Sequence, residues 1–479
     1  MRMLAWVALL FVALLALFSS STWGQLQEEN TLYARGTGLF HFSLINLALW
    51  LATAAAAMRL LSAGPLSPAR APPSPFPAFL GAFGFLLLAH VVVGLSGGQD
   101  LLVILSYTGL LNVLNMALFA LLLLAALADE AGRRRLLWTL VTLAALRAAF
   151  GLVRYAWFGG DSANPYRNFE GLDIRLVYFD IGDNYIAALA AFCIAWLLLM
   201  PGVRLTLWRR SWLLALLAME VATVALSFRR SSLLGLVLMC GVLLWQLPWQ
   251  RRLLFGGLGS LAAVAAAAVL MRERLQANVA AIPGSGFLSS LLYDVGPQRA
   301  TEVSRFYELE AAAHSLQGSW LFGLGSWGSF RGNEDALDYH FGKFDFVHSG
   351  FGHLVLKSGL AGLLLFVTLL AAVVIHYLRA RPTLRGNGAL LADAGMASLL
   401  FWMPTLLIGT PVIEFRTMLL IGLTLAMPYL ALQRHALRQT RRALPVMPAA
   451  PIMPDAPIAP GRAPSLRAAP QKARPHAAS

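Results

Sequence analysis

Long apolar runs alternate with short polar connections over most of this chain. A run of about 20 apolar residues is long enough to cross a bilayer as a helix. The pattern therefore predicts an all-α polytopic membrane protein with about 12 transmembrane helices. The predicted spans are residues 3–19, 38–58, 76–96, 101–127, 136–157, 184–203, 211–228, 231–247, 253–271, 348–377, 390–409 and 415–433.

One stretch departs from this pattern, because residues 272–347 are largely polar and join two apolar runs. Within it, Thr301–Trp320 has apolar side chains at the spacing of an amphipathic helix. The sequence thus divides into transmembrane helices 1–9 (residues 1–271), a long loop with an amphipathic helix (272–347), transmembrane helices 10–12 (348–433) and a tail (434–479).

The two ends of the chain differ in composition. Met1-Arg2 precedes an apolar run to Phe18 and a polar Ser19–Thr22 segment, which is the layout of either a cleaved signal peptide or a first span. We favour the span, and the topology downstream is the same in both cases. The tail after Arg442 is rich in Pro and Ala without periodicity, so we expect it to be disordered.

Composition supports the membrane interpretation, because 58% of residues are hydrophobic and 13% charged, whereas soluble domains have about 25% charged residues. The net charge of +14 does not require a nucleic-acid partner, since arginines collect in the cytoplasmic loops of membrane proteins. Alternate loops hold Arg2, Arg59, Arg70, Arg133, Arg134, Arg135, Arg204, Arg209, Arg210, Arg251, Arg252, Arg379, Arg381 and Arg385. We therefore predict that both termini lie in the cytoplasm and that residues 158–183 and 272–347 lie on the far side of the membrane, which is the periplasm if the cell is Gram-negative.

Two adjacent arginines lie on the side where positive charge is disfavoured. Arg229 and Arg230 fall at the predicted hinge between spans seven and eight, within Ser227-Phe-Arg229-Arg230-Ser-Ser232. One interpretation is that they extend to lipid headgroups. The other is that they bind a dianion such as pyrophosphate, because a guanidinium can bond two phosphate oxygens at once.

His348 opens the tenth predicted span, where the chain re-enters the apolar region. A neutral imidazole at such a position can accept a proton from a sugar hydroxyl, although a lone interfacial histidine more often only caps a helix. His353 follows at a spacing of five, and metal-binding helices use a spacing of four, so no metal site is predicted. Cys193 and Cys240 lie in apolar runs and indicate neither a disulfide framework nor a metal cluster.

Gly323-Leu-Gly325-Ser-Trp-Gly328 matches the dinucleotide-binding pattern G-x-G-x-x-G. It follows no predicted strand and opens no βαβ unit, so we interpret it as a turn and expect no cofactor. Turns are predicted at Ala281–Gly286 and Gly323–Gly332.

Arg147 and Glu220 each fall about half-way through a predicted span, where an isolated charge is costly. We predict that they form a structural pair, with a proton relay as the alternative. Lys357 is also deep in its span, and the sequence assigns it no partner.

Three segments in order resemble the O-antigen ligase and polymerase superfamily. Arg230-Ser-Ser-Leu-Leu-Gly-Leu is similar to the family's Ser-Arg-x-x-x-x-Leu motif, with Arg229 in place of the serine. Arg305-Phe-Tyr-Glu-Leu-Glu followed by Trp320-Leu-Phe-Gly-Leu-Gly is similar to a second motif, in which Leu309 replaces a tryptophan and Trp320 a proline. His348-Ser-Gly-Phe-Gly-His-Leu resembles the start of a third, the most specific of the three.

The resemblance implies an inverting, metal-independent glycosyltransferase that moves a glycan from undecaprenyl pyrophosphate to a sugar hydroxyl on the periplasmic face. Carried onto this sequence, Arg230 and Arg305 would hold the pyrophosphate, and His348 would orient or deprotonate the acceptor. Arg229 and Arg416 are supporting substrate-binding candidates. The acceptor would be lipid A core for a ligase or a growing polysaccharide for a polymerase, and the sequence does not separate these.

Two other classes of protein compete with this hypothesis. A transporter or flippase of lipid-linked glycans would share the membrane architecture, but paired broken helices or inverted repeats are not evident in the sequence. A sensor or scaffold would use the long loop to bind a partner, and a His348→Ala variant would then leave glycan assembly unchanged.

Overall fold

The computed structural model describes residues 2–19, 33, 44–62, 74–106, 108–127, 129–162, 175–200, 205–257, 300–331 and 343–443. Most of the predicted span 253–271, the predicted turn Ala281–Gly286 and the tail after residue 443 lie outside these ranges. Met1–Ala436 forms one compact unit, and Leu437–Ser479 forms a second.

The described chain is almost entirely helical. The helices are α1 Arg2–Leu17, α2 Leu44–Ser62, α3 Phe76–Ser96, α4 Leu101–Ile104, α5 Leu111–Ala126, α6 Glu130–Trp157, α7 Ile181–Leu199, α8 Leu207–Ala225, α9 Arg230–Trp245, α10 Ala300–Ser315, α11 Gly350–Ala380, α12 Asn387–Ile408 and α13 Phe415–Ala443. Residues 249–257 are also helical. Two short strands, β1 Phe330–Arg331 and β2 Lys343–Phe344, pair antiparallel.

Six described helices are long and apolar enough to cross a membrane, namely α3, α6, α7, α11, α12 and the Phe415–Leu432 part of α13. Apolar helices of 10–17 residues add Met3–Leu17, Leu44–Met58, Leu111–Ala126 and Arg230–Trp245. The predicted all-α membrane fold is therefore confirmed. The count of about 12 spans and the boundaries of the four predicted regions stay predictions.

The central helices are α7, α12 and α13, whose apolar stretches are 83%, 72% and 94% buried, against 33% for α3 and α6. Trp402 of α12 packs on Tyr185 of α7 with ring centroids 4.7 Å apart, and its indole N–H donates to Thr424 of α13 at 3.2 Å. The peripheral helices therefore present one face to lipid, while the central three are enclosed by protein.

The predicted span 101–127 is not one helix, because residues 105, 106 and 108–110 between α4 and α5 are not helical. Asp100 caps α4 by accepting from the Leu102 N–H at 2.9 Å. The hydroxyl of Ser326, far along the chain, accepts from the Leu110 N–H at 3.2 Å. The break depends on this tertiary contact, which an apolar run does not reveal.

Helix α11 is also discontinuous. Gly359 has φ 64° and ψ −166°, a conformation that is essentially restricted to glycine. Residues 319–324 fill the break, since Leu324 N–H donates to Leu356 O at 2.8 Å and Leu360 N–H donates to Trp320 O at 2.8 Å. The predicted turn at Gly323–Gly332 therefore includes a segment that is bonded into a transmembrane helix.

Candidate functional site

Several connections between helices meet at one end of the molecule, which we call the site end. They are the α8–α9 and α12–α13 connections, the described part of the α6–α7 connection, and residues 343–349, which lead into α11. The Val177 N–H donates to Leu226 O at 3.1 Å across two of them. A Cβ on Gly350 would lie 3.2 Å from both Pro411 and Leu406, so the start of α11 contacts the α12–α13 connection.

A buried ion cluster joins the helices below these connections. Arg416 is fully buried and binds Asp180 at 2.9 Å and Asp183 at 2.7 Å. Its guanidinium also donates to the backbone oxygen of Leu15 in α1 at 2.8 Å. Gly182 permits this approach, because a Cβ there would lie 2.8 Å from the guanidinium.

Arg147 completes this cluster from α6. It binds Asp183 at 3.0 Å, so the predicted Arg147–Glu220 pair is wrong. A charge inside the bundle needs a partner, and Asp183 of the adjacent helix α7 provides it. Glu220 is fully buried, and its carboxylate makes no hydrogen bond within the described residues.

The α6–α7 connection is held by a second pair, in which Arg154 binds Asp161 at 3.1 Å and donates to Val177 O at 2.7 Å. The hydroxyl of Tyr178 donates to Arg147 O at 2.5 Å, and burial raises the pKa of this phenol. These contacts fix residues 177–180 against the turn that leads into α9.

Arg229 is positioned by that segment. Its guanidinium donates to Phe179 O and lies 4.8 Å from the centre of the Phe179 ring. Phe228 has φ 51°, a left-handed conformation that is uncommon for residues other than glycine. The strained turn therefore directs Arg229 toward the α6–α7 connection, and Arg230, half-buried, begins α9.

Glu414 lies next to these cations, just before α13. Burial and the nearby Asp180 raise its pKa to about 7, although Arg229 and Arg416 act in the opposite direction. The Thr417 hydroxyl donates to its carboxylate at 2.5 Å. Arg229, Glu414 and the Arg416 cluster thus form one electrostatically connected group.

His348 forms the second part of the site. Its Nδ1 lies 3.0 Å from a carboxylate oxygen of Glu308, and its backbone N–H donates to the same carboxylate at 3.1 Å. The imidazole is 39% exposed, whereas Glu308 is 8% exposed. The carboxylate is therefore enclosed by protein and contacts the Nδ1 edge of a ring that reaches solvent.

The positions of α10 and α11 explain this contact. Ser349 caps α11 by accepting from the Gly352 N–H at 3.0 Å. A Cβ on Gly352 would lie 2.7 Å from Leu309 of α10, so the two helices touch directly. A small core of Ala312, Phe330, Val347 and Leu356 holds them together.

The structure brings Arg229, Arg230, Arg416 and His348 to the site end. Arg305 lies on α10 three residues before Glu308, a spacing that puts both on one helix face. Its side chain lies outside the described part of the chain. Sequence reasoning missed Glu308, Asp180, Asp183 and Glu414, although the Arg305–Glu308 spacing was a usable signal for the first.

Within the described residues, no group of three or more His, Cys, Asp and Glu side chains converges to hold a metal ion. Lys357, which had no predicted partner, donates to Gly328 O at 2.5 Å. It serves the packing of the 319–328 segment against α11.

These features define a multi-pass helical membrane protein with a charged cluster and a carboxylate-bound imidazole at one end of its helices. Residues 212–367 match the family described as O-antigen ligase. The match covers about a third of the chain, from α8 through α10 to α11, and confirms the resemblance to the O-antigen ligase and polymerase superfamily. It indicates a membrane glycan ligase or polymerase. No curated protein matches the chain.

Proposed function

We propose that this protein is a bacterial inner-membrane glycosyltransferase that transfers a glycan from undecaprenyl pyrophosphate to a sugar hydroxyl. The acceptor is lipid A core or a growing polysaccharide, and the site end faces the periplasm, with both termini in the cytoplasm. The observation that supports this most strongly is the His348–Glu308 contact at the same end as Arg229 and Arg230.

Glu308 determines how the imidazole can act. With the carboxylate at Nδ1, the Nδ1 proton is held there and Nε2 keeps its lone pair, as in other carboxylate–imidazole pairs. Nε2 then accepts the proton of an acceptor hydroxyl, and that oxygen attacks the anomeric carbon of the donor sugar. The bond from this carbon to the pyrophosphate oxygen breaks, and the pyrophosphate leaves with the electron pair. A single displacement of this kind inverts the anomeric configuration.

The arginines stabilise the charge that grows on the leaving group. One guanidinium group can donate hydrogen bonds to two phosphate oxygens at once. Hydrogen-bond donors placed where negative charge develops in the transition state lower the activation barrier. In this proposal Arg229, Arg230 and Arg305 stabilise the negative charge of the leaving pyrophosphate. Because these side chains supply the positive charge, the reaction needs no metal ion. Arg229 is pre-positioned by Phe179 O, and Arg230 lies at the N-terminus of α9, where free N–H groups favour anions.

Arg416, a substrate-binding candidate by the sequence, takes a different role in this proposal. Its guanidinium is fully buried and engaged by Asp180, Asp183 and Leu15 O. These contacts support a structural role, in which Arg416 fixes the α6–α7 connection that holds Arg229.

A transporter or flippase of lipid-linked glycans is the second candidate, because α11 is broken at Gly359. Broken helices are frequent at transporter binding sites, and the sequence did not reveal this one. The break is bridged by backbone hydrogen bonds from residues 320–324, an arrangement that favours a fixed helix over a moving gate.

The test is reconstitution of the full chain in proteoliposomes with a lipid-pyrophosphate glycan and an acceptor glycan. His348→Ala is expected to abolish product, whereas His314→Ala, an exposed histidine of α10, leaves it unchanged. Translocation of the lipid-linked glycan without any transfer product would instead establish the transporter. Single additions indicate a ligase, and a ladder of products indicates a polymerase.

A further inference from the structure

A cavity of about 330 Å³ lies beside α4 at the site end. Most of its lining surface is apolar, from Leu102, Val103 and the indole of Trp327, which forms an aromatic wall. Its polar lining residues are Asp100, Ser106, Thr108 and Asp345. None of His348, Arg229 and Arg230 lines it. Its size is within the range of small-molecule sites.

The cavity is held together by contacts between distant parts of the chain. The hydroxyl of Ser326 donates to Ile104 O and accepts from the Leu110 N–H at 3.2 Å. Next to it, the Trp327 ring packs on Gly94, where a Cβ would lie 2.8 Å from the indole. The aromatic wall is therefore fixed in orientation by the backbone around it.

The lining indicates the class of ligand. Asp100 and Asp345 are exposed carboxylates, so they repel phosphate or pyrophosphate. They accept hydrogen bonds from hydroxyl groups. The hydroxyls of Ser106 and Thr108 lie 3.0 Å apart and share one hydrogen bond, so that together they can donate one further hydrogen bond and accept others. A fixed indole face adds an apolar platform. Carboxylates, hydroxyls and an aromatic face together suit a neutral, hydroxyl-rich sugar ring.

The position of the cavity indicates which glycan it would bind. Helix α11 packs against α3 and against α12, and α12 in turn packs against α9. The cavity lies on the α3 side, whereas the arginines lie on the α9 side, so His348 at the start of α11 is between them. Asp345 is three residues before His348, which limits the distance along the chain to about 10 Å.

We propose that this cavity binds a neutral sugar residue of the acceptor glycan and directs an adjacent hydroxyl to His348. This assignment of the acceptor rests on the proposed function. The pyrophosphate of the donor then approaches from the α9 side, and the two substrates meet at the imidazole from opposite flanks of α11.

The test measures binding without requiring transfer. The purified full chain is titrated calorimetrically with neutral trisaccharides of glucose, mannose, galactose and N-acetylglucosamine, and with inorganic pyrophosphate. The Asp345→Asn and Asp100→Asn variants should each weaken trisaccharide binding about tenfold. Asparagine at position 100 keeps a side chain that can cap α4. Pyrophosphate binding should be unchanged or stronger. Asp129→Asn is the matched control, because Asp129 also caps a helix N-terminus, that of α6, and this end of α6 lies away from the site end.

The proposal is overturned if none of the four trisaccharides binds the wild-type protein, or if both cavity variants bind them as the wild type does. It is also overturned if the two aspartates bind Mg²⁺ or Ca²⁺ and no sugar. Suppose that the cavity variants lose trisaccharide binding and that the wild type transfers no glycan. The cavity is then a sugar site, and the proposed glycosyltransferase activity is wrong. If glycan transfer depends on His348 but is unchanged in the cavity variants, the proposed glycosyltransferase activity stands and the cavity is not the acceptor site.

Discussion

Glu308 contacts His348 through both the backbone N–H and the imidazole Nδ1, so this carboxylate fixes the ring's position and its tautomer. The motif around His348 makes this imidazole a candidate from the sequence alone, but it gives no sign of its partner Glu308 on another helix. The same holds for Arg147, whose predicted partner Glu220 is of the right charge but on the wrong helix. Side-chain partners depend on helix packing, which hydropathy does not specify.

Replacing Glu308 with Gln should lower kcat for glycan transfer about 10–100-fold, because the imidazole loses the group that orients it. The KM for the lipid-pyrophosphate donor should change little, since the arginines are untouched. Steady-state kinetics of the reconstituted protein measure both. A matched His314→Gln variant on the same helix should behave as the wild type, and a Glu308→Gln protein with unchanged kcat would refute the positioning role.

Glu414 predicts a pH dependence of stability. Its pKa in the folded protein is raised to about 7 by burial and by Asp180, so the folded state binds the proton more tightly than the unfolded state does. The contribution of Glu414 to the free energy of unfolding is therefore fully present below the pKa of this group in the unfolded chain, and it is lost as pH rises toward 7. As pH rises toward 7, the thermal unfolding midpoint of the wild-type protein in detergent should fall relative to that of the Glu414→Gln variant. Parallel curves for the two proteins would contradict this.

At the scale of elements, apolar runs located most helices, because length and composition alone decide whether a segment can cross lipid. The breaks at residues 105–110 and at Gly359 were missed, since each depends on the 319–328 segment. The amphipathic helix predicted at Thr301–Trp320 is present as α10, but it ends at Ser315. The hydrophobic periodicity therefore predicts the existence of α10 but not the position of its C-terminus.

Gly359→Ala should destabilise the protein by about 1–3 kcal/mol, because a Cβ would be held at a glycine-only φ and ψ against the Leu321 backbone. Gly81→Ala in α3 is the control, since a Cβ there has no neighbour within 4 Å and alanine favours a helix. The thermal midpoint should fall only for Gly359→Ala. Equal midpoints would show that the break is not a fixed feature.

At the scale of the whole molecule, the buried ion cluster ties α1, α6, α7 and α13 together below the site. The sequence predicts a buried partner for Arg147 but gives Glu220 instead of Asp183. It does not predict that Arg416 pairs with Asp180 and Asp183. Removing one member of a buried ion pair costs about 3–5 kcal/mol, because its partner is left uncompensated.

Asp183→Asn and Arg416→Met should therefore lower the yield and thermal midpoint of the purified protein strongly. Arg385→Gln, an exposed cation near the opposite end of the helices, should not. Size-exclusion profiles and unfolding curves measure the difference. If Arg416→Met were as stable as the wild type but lost donor binding, Arg416 would be a substrate ligand after all.

The central claim is that the imidazole at the start of α11 removes a proton from an acceptor while arginines at the same end hold the donor. The most direct measurement compares donor binding with single-turnover transfer for His348→Gln in proteoliposomes. The account predicts wild-type affinity for the lipid-pyrophosphate glycan and a transfer rate at least about 100-fold lower. Transfer at the wild-type rate by His348→Gln would contradict it.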